Sequence, residues 1–238
     1  MGAVCSWVRG TRQDSTYSAA SENYQLTELQ GVRWHLPKRY QVLTHRGSGS
    51  FGVVCGAFDY EEERNVVIKK IKRLPCRKSR DARLLYREIF LLRRLVHENV
   101  VDLLDIVTPN LSGHTITELY LISTDMKMDL RKKALNSYLK DEHIRFIMYQ
   151  VCCGLKYIHS ADVLHRDLKP ENIGVAPNLD VRILDFGLAR KKESEMTGYV
   201  GTRQYRSPEL VFNWAINRRK RASYDATKFV YFCIIAQA

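Results

Sequence analysis

His165-Arg166-Asp167-Leu168-Lys169-Pro170-Glu171-Asn172 crowds an imidazole, two cations, two carboxylates and an amide into eight residues. A run this polar would ordinarily be a solvated loop, but its neighbours argue that it is pinned. Upstream, Ile144, Ile147, Met148, Val151, Leu155 and Ile158 recur at spacings of three and four, which predicts an amphipathic helix running to His159 with Asp141 as its N-terminal cap. Downstream, two short β-favouring runs, Ile173 to Val175 and Val181 to Leu184, are joined by the turn residues 176–180. If they pair as a hairpin, its open end brings Asn172 and Asp185 together. An amide oxygen and a carboxylate converging there are the donors that a hard cation such as Mg²⁺ takes. Asp167 would stand just outside that metal site, able to accept a hydroxyl proton, and Lys169 could stabilise developing phosphate charge. Taken singly, these groups could equally form structural ion pairs; as an ordered set they are hard to explain that way.

Further toward the N-terminus, short β runs at Tyr40 to Leu43, Val53 to Phe58 and Val66 to Ile71 are separated by turn residues, which predicts an antiparallel meander. Between the first two lies Gly47-Ser48-Gly49-Ser50-Phe51-Gly52, where absent β-carbons let backbone amides approach phosphate oxygens. Because Val53-Val54-Cys55 continues as a strand and does not open a helix, this is a hairpin over a ligand and not a dinucleotide-binding turn. In isolation the pattern is equally that of a plain flexible hairpin. Ala82, Leu85, Ile89, Leu92 and Val96 mark a helix, with Glu88 on its apolar face. A carboxylate buried there demands a cation, and Lys69, at the end of the preceding strand, is its natural partner; the alternative is a surface lysine and a half-buried glutamate. Strands resume at Glu118 to Ile122. Strands with one helix, followed mostly by helices, predict an α+β protein in two lobes.

Composition narrows the classes. The 45% hydrophobic content supports a packed core. Six cysteines lie without Cys-x-x-Cys pairs or nearby histidines, so they read as reduced, intracellular and not zinc-binding. The net charge of +12 draws heavily on residues 69–94, where eleven Lys or Arg face only Asp81 and Glu88. That could suggest a nucleic-acid surface; without a nucleic-acid motif a solvated basic face is favoured. No apolar run approaches the ~20 residues that span a membrane, and the start is not a secretory signal. Residues 10–30 are polar and aperiodic, so 1–33 is expected to be a flexible tail.

With these motifs in place the chain resembles the protein kinase superfamily from Tyr40 to about Asn213. Asp185-Phe186-Gly187-Leu188-Ala189-Arg190, Met196-Thr197-Gly198-Tyr199 and the run Thr202-Arg203-Gln204-Tyr205-Arg206-Ser207-Pro208-Glu209 resemble the stress-activated branch of the mitogen-activated protein kinases. The resemblance implies a two-lobed fold: an antiparallel N-lobe with one helix and a hinge over 34–126, and a mainly helical, incomplete C-lobe over 127–213. It implies ATP and Mg²⁺ as cofactors. Gly47, Ser48, Gly49, Gly52 and Val54 would cover the nucleotide. Lys69 would hold its α- and β-phosphates and Glu88 would orient that lysine. Ser123 would be the gatekeeper, backbone at Thr124 and Met126 would hold adenine, and Asp129 would lie near the ribose. Asp167 would be the catalytic base, with Asn172 and Asp185 on Mg²⁺. Thr197 and Tyr199 would be phosphorylated by an upstream dual-specificity kinase and dephosphorylated by phosphatases, with Arg87, Arg166, Arg190, Arg203 and Arg206 binding the phosphates. Protein substrates would carry Ser or Thr followed by Pro.

The sequence also departs from that pattern. Gln204 stands where the family usually has Trp, and Ser207 where it has Ala. Beyond Trp214 the motif-by-motif resemblance decays, so 214–238 is expected to be a divergent end lacking the helix that braces the catalytic loop. A catalytically impaired binding decoy for the upstream kinase is the competing expectation. Met1-Gly2-Ala3-Val4-Cys5-Ser6 fits an N-myristoylation pattern, so a membrane-associated pool is expected only if Gly2 is acylated. Arg218-Arg219-Lys220-Arg221 could direct nuclear import, but a solvated loop is favoured, so the expected location is cytoplasmic, and nuclear only if that cluster acts in import.

Overall fold

A computed structural model describes residues 23–49, 52–71, 80–109, 111–112, 115–116, 118–136, 139–191 and 201–205. Two compact units form: one from the described residues up to Tyr86 together with Leu103–Asp125, the other from Arg87–Asp102 and the residues from Met126 on.

The first unit begins with an antiparallel hairpin, β1 (Tyr24–Leu29) against β2 (Val32–Pro37). This corrects the tail reading of residues 24–33. Polar composition hid an alternation that continues to Trp34 and Leu36, which are fully buried beside Tyr120. The Tyr120 hydroxyl accepts the His35 N–H at 3.0 Å, tying the hairpin to the sheet behind it. Next come β3 (Tyr40–Ser48), β4 (Gly52–Asp59), β5 (Arg64–Ile71) and the helix α1 (Arg80–Leu92). The edge strand β6 (Leu103–Val107), the short pair β7 (Leu111–Ser112) and β8 (Thr115–Ile116), and β9 (Tyr120–Thr124) follow. The antiparallel sheet has the order β3-β4-β5-β9-β6. The meander was legible from alternation; β6, whose Leu-Leu-Asp-Ile-Val lacks it, was not.

Strand alternation sorts this sheet into two faces. Val53, Cys55, Ala57, Val66, Ile68, Tyr120 and Ile122 pack with Trp34 and Tyr40 in the core. Residues paired directly across antiparallel strands share a face, so the rows Val54, Lys69, Leu121 and Gly56, Val67, Ser123 lie on the opposite one.

The second unit contains β10 (Met128–Asp129), α2 (Leu130–Asn136), α3 (Asp141–Ser160), β11 (Val163–Leu164), β12 (Ile173–Val175), β13 (Val181–Ile183) and β14 (Arg190–Lys191). All six apolar residues expected on the inner stripe of α3 are buried. Its N-terminus differs from expectation: Asp141 is the first helical residue, not the cap, and the Lys140 N–H donates to His143 Nδ1 at 3.3 Å. There Asp141 still meets the positive end of the helix dipole. α1 stops at Leu92, four residues short of the expected Val96. Leu95 turns inward, whereas Val96 is 80% exposed and gives its N–H to the Tyr157 hydroxyl.

β12 and β13 form the expected hairpin, Ile173 opposite Ile183 and Val175 opposite Val181. A third segment joins it: Ile183 N–H donates to Asn99 O at 2.9 Å and Val101 N–H to Ile183 O at 3.0 Å. The buried Asn99 side chain donates to Gln150 Oε1 at 3.2 Å and to Val181 O at 3.1 Å. Gln150 in turn donates to Leu179 O and accepts from Val181 N–H. These polar bonds fix the hairpin to α3, and with it the loop that precedes it.

Candidate active site

The loop between β11 and β12 is held from below. His165 is fully buried, its Nε2 2.8 Å from Leu184 O, its ring edge-on to the fully buried Phe186 at 5.1 Å. Because Leu184 O can only accept, Nε2 carries the proton and Nδ1 accepts, at 3.4 Å, from the Asp167 N–H. Arg166 sits in the left-handed region (φ 66°) with Nε donating to Leu188 O at 2.8 Å. Asp185 is also left-handed (φ 58°). Non-glycine residues in this conformation cost on the order of 1 kcal/mol, so two so near each other mark a loop whose shape the surroundings impose.

Asp167 is the hub. Its Oδ1 accepts from the Thr202 N–H and the Thr202 hydroxyl, both at 2.8 Å. Its Oδ2 faces Lys169 Nζ at 3.2 Å and Asn172 Nδ2 at 3.2 Å. Burial, the largest influence, pushes the carboxyl's pKa up, but the two Thr202 hydrogen bonds and the Lys169 ammonium together outweigh it, and the pKa is lowered. Lys169 Nζ also donates to Thr202 Oγ1 at 3.1 Å, so that hydroxyl accepts from the ammonium and donates to the carboxylate.

Nothing in the sequence marks Thr202 for this part. It lies 35 residues beyond Asp167, and no periodicity or spacing announces the contact. The residue before it makes the approach feasible. Gly201 has φ 85°, and a β-carbon there would lie 2.4 Å from Arg166 O, so only glycine lets the strand of chain pass this close.

Asn172 and Asp185 flank the β12–β13 ladder, where Leu184 N–H donates to Asn172 O at 2.8 Å. Asn172 Nδ2 is committed to Asp167 O and Oδ2, which turns the amide oxygen into the donor left for a cation. Asp185 is exposed, its Oδ1 accepting the Gly187 N–H at 3.2 Å. An amide oxygen and a carboxylate suit Mg²⁺, which is commonly held by one or two protein oxygens plus substrate phosphates. Among the described residues no group of three or more His, Cys, Asp or Glu forms a cage that would suit a metal held by protein alone. Glu88 is buried on α1, and a β-carbon on Gly187 would lie 3.8 Å from its Oε2.

In the first unit the β3–β4 hairpin brings Gly47 opposite Val54 and Ser48 opposite Val53, closed by Gly49 N–H to Gly52 O at 2.9 Å. A β-carbon on Gly52 would meet Lys70 O at 2.4 Å, whereas at Gly47 and Gly49 it would meet open space. Lys69 on β5 pairs with Val54 and Leu121; Ser123 and Thr124 end β9. Lys69 thus belongs to the first unit and Glu88 to the second. Met126 is buried, and Asp129 caps α2 by accepting the Lys132 N–H at 2.9 Å. Arg87 on α1 and Arg190 on β14 are half-buried. Ser50, Phe51, Thr197, Tyr199, Arg206 and the 214–238 end lie outside the described residues, as does the side chain of Arg203.

A loop with an ionised aspartate bonded to a lysine, beside an amide and a carboxylate suited to Mg²⁺, fits phosphoryl-transfer chemistry. The chain belongs to the protein kinase domain family, whose pattern matches residues 40–237. It is similar to mitogen-activated protein kinase pmk-1 of Caenorhabditis elegans, 48% identical over 193 residues, covering 81% of this chain and 51% of that protein. It is also similar to mitogen-activated protein kinase 14 of Xenopus laevis, 46% identical over 187 residues, 79% of this chain and 52% of that protein. The chain spans about half the length of these curated relatives. The family match runs on past Asn213, where the motif-by-motif resemblance stops.

Proposed function

We propose that the chain transfers the γ-phosphoryl group of ATP to Ser or Thr hydroxyls of proteins, at sites followed by Pro, as a mitogen-activated kinase. The observation that supports this most is the ionised Asp167 carboxylate, held by Thr202 and Lys169 beside Asn172. A substrate hydroxyl attacks the γ-phosphorus, its proton passes to Asp167, and the bond to the β-phosphate oxygen breaks to leave ADP. Lys169 stabilises charge on the transferring group. Asn172 and Asp185 would hold Mg²⁺, which when bound neutralises phosphate charge. Lys69 and the glycine-rich hairpin handle the nucleotide phosphates, and backbone at Thr124 and Met126 the adenine. Phosphorylation of Thr197 and Tyr199 by a dual-specificity kinase activates the chain, phosphatases reverse it, and the arginines named above receive the phosphates. The location is cytoplasmic, with a nuclear pool conditional on residues 218–221 acting in import and a membrane pool conditional on acylation of Gly2.

The test is a peptide phosphorylation assay on the full chain, phosphorylated at Thr197 and Tyr199, beside Asp167→Asn. The wild type should exceed the variant by about 10²- to 10⁴-fold. Equal rates sink the enzyme reading. Equal rates with retained binding to the upstream kinase leave the decoy in its place.

A further inference from the structure

The helix α3 carries a second stripe on the side away from its buried one. Phe146 and Tyr149 stand there 47% and 68% exposed, although the core-facing stripe of the same helix is already filled by Ile144, Ile147, Met148, Val151, Leu155 and Ile158. An apolar patch rimmed by charge is the surface feature that marks an interaction site. The rim here has an order. Glu142, Tyr149 and Lys156, all exposed, recur every seven residues, which sets them in one line of about 21 Å along α3. An acid begins the line, the tyrosine holds its middle and a base ends it. Phe146 and the half-buried Cys153 flank the line on one side, and the exposed Arg145 and Cys152 flank it on the other.

From this order we infer that the outer face of α3 is the contact of a homodimer, in which a second copy of the chain lays its own α3 antiparallel across a twofold axis at Tyr149. A twofold contact must be complementary to itself. Rotation about an axis at Tyr149 brings each Glu142 to the partner's Lys156, so opposite charges meet twice. Tyr149 meets the partner's Tyr149, and Phe146 meets the partner's Cys153, whose polarisable sulfur suits an aromatic ring. A parallel pair would set Glu142 against Glu142 and Lys156 against Lys156, so the sequence of charges selects the antiparallel one. The buried stripe of each copy is left as it is. One helix against its copy covers less than the roughly 1,200 Å² of a standard interface, which makes the dimer weak and exchanging.

Sedimentation equilibrium of the full chain under reducing conditions tests it, with a dissociation constant of about 10–100 μM expected. Glu142→Lys turns both attractive pairs repulsive and should weaken association by about tenfold, and adding Lys156→Glu restores the pairs in reverse and should recover it. Tyr149→Ala should weaken it by at least as much as Glu142→Lys, with an unchanged melting curve because the ring is exposed. Cross-linking supplies a second readout. In a Cys152→Ser and Cys153→Ser background, Tyr149→Cys should join two chains under oxidised glutathione, since the axis passes at that position. A wild type that stays monomeric up to about 500 μM overturns the dimer, and so does a double charge swap no tighter than the single one. A disulfide from Tyr149→Cys to Cys233 of the same chain overturns it as well, because a later segment of the chain would then cover the face.

Discussion

The two units hold their chemistry by different means. In the first, Lys69, Val54 and Ser123 take their places from strand register alone: each lies where alternation and pairing put it, above a core of Trp34, Tyr40, Cys55, Ile68, Tyr120 and Ile122. In the second, Asp167, Asn172 and Lys169 sit on irregular chain, and side-chain hydrogen bonds to partners 5 to 35 residues away do what register does elsewhere. A site held by register fails when its core fails. A site held by polar bonds can lose its geometry while the unit stays folded.

The largest expected effect follows from the first half of that contrast. Trp34→Ala should destabilise the first unit by about 3–5 kcal/mol, the range for removing a buried aromatic, and chemical denaturation followed by tyrosine fluorescence would measure it. Trp34→Phe sharpens the point. The indole N–H is buried without a hydrogen-bond partner in the described structure, so the phenylalanine keeps much of the packing and sacrifices no hydrogen bond. Its cost should be well under half that of the alanine. If the two variants match, the hydrophobic contribution of the β1–β2 hairpin has been overstated.

Next in size is Asn99→Ala, which removes the amide that joins Gln150 to the β12–β13 hairpin. The loss should be about 1–3 kcal/mol, because the Val181 carbonyl loses its buried donor and Gln150 Oε1 keeps only the Val181 N–H. Hydrogen exchange should locate the change at residues 173–183, with β3 to β5 protected as before. Exchange rising equally in both units would erase the distinction between them.

What the sequence disclosed follows the same division. Periodicity exposed the sheet, α3 and the β12–β13 hairpin because each is a local pattern with a fixed repeat. It misplaced the start of the fold, since the polar stretch 10–30 was read as continuous through residue 33. It also carried α1 on to Val96, because spacing alone cannot tell a helix residue from one in the turn that follows it. The chemical types at Asp167, Lys169, Asn172 and Asp185 were legible; the bonds that aim them were not. Thr202 is the clearest case, a residue whose part depends on a contact across 35 positions. The ion pair between Arg46 and Asp125, 79 positions apart in sequence and 2.9 Å apart in the fold, was equally invisible.

Thr202→Val carries the smallest expected effect and the sharpest test of the polar half of the comparison. It removes the hydroxyl that bridges Lys169 and Asp167 but keeps the backbone N–H that also reaches Oδ1. Burial already pushes the Asp167 carboxyl up and is opposed chiefly by Thr202 and then by Lys169, so deleting the hydroxyl must raise the pKa. In the wild type the pKa is depressed, so the stability this group contributes is present above the unfolded value of about 3.9 and is lost as pH falls through the folded value. The variant should therefore shed that stability at a higher pH, and any acid limb in its phosphorylation rate should shift in the same direction. Carbon NMR titration of the labelled Asp167 carboxyl reads the shift directly, without requiring turnover. A midpoint that stays put in the variant would mean that the backbone N–H and Lys169 hold the carboxylate by themselves and that the threonine hydroxyl only positions Lys169.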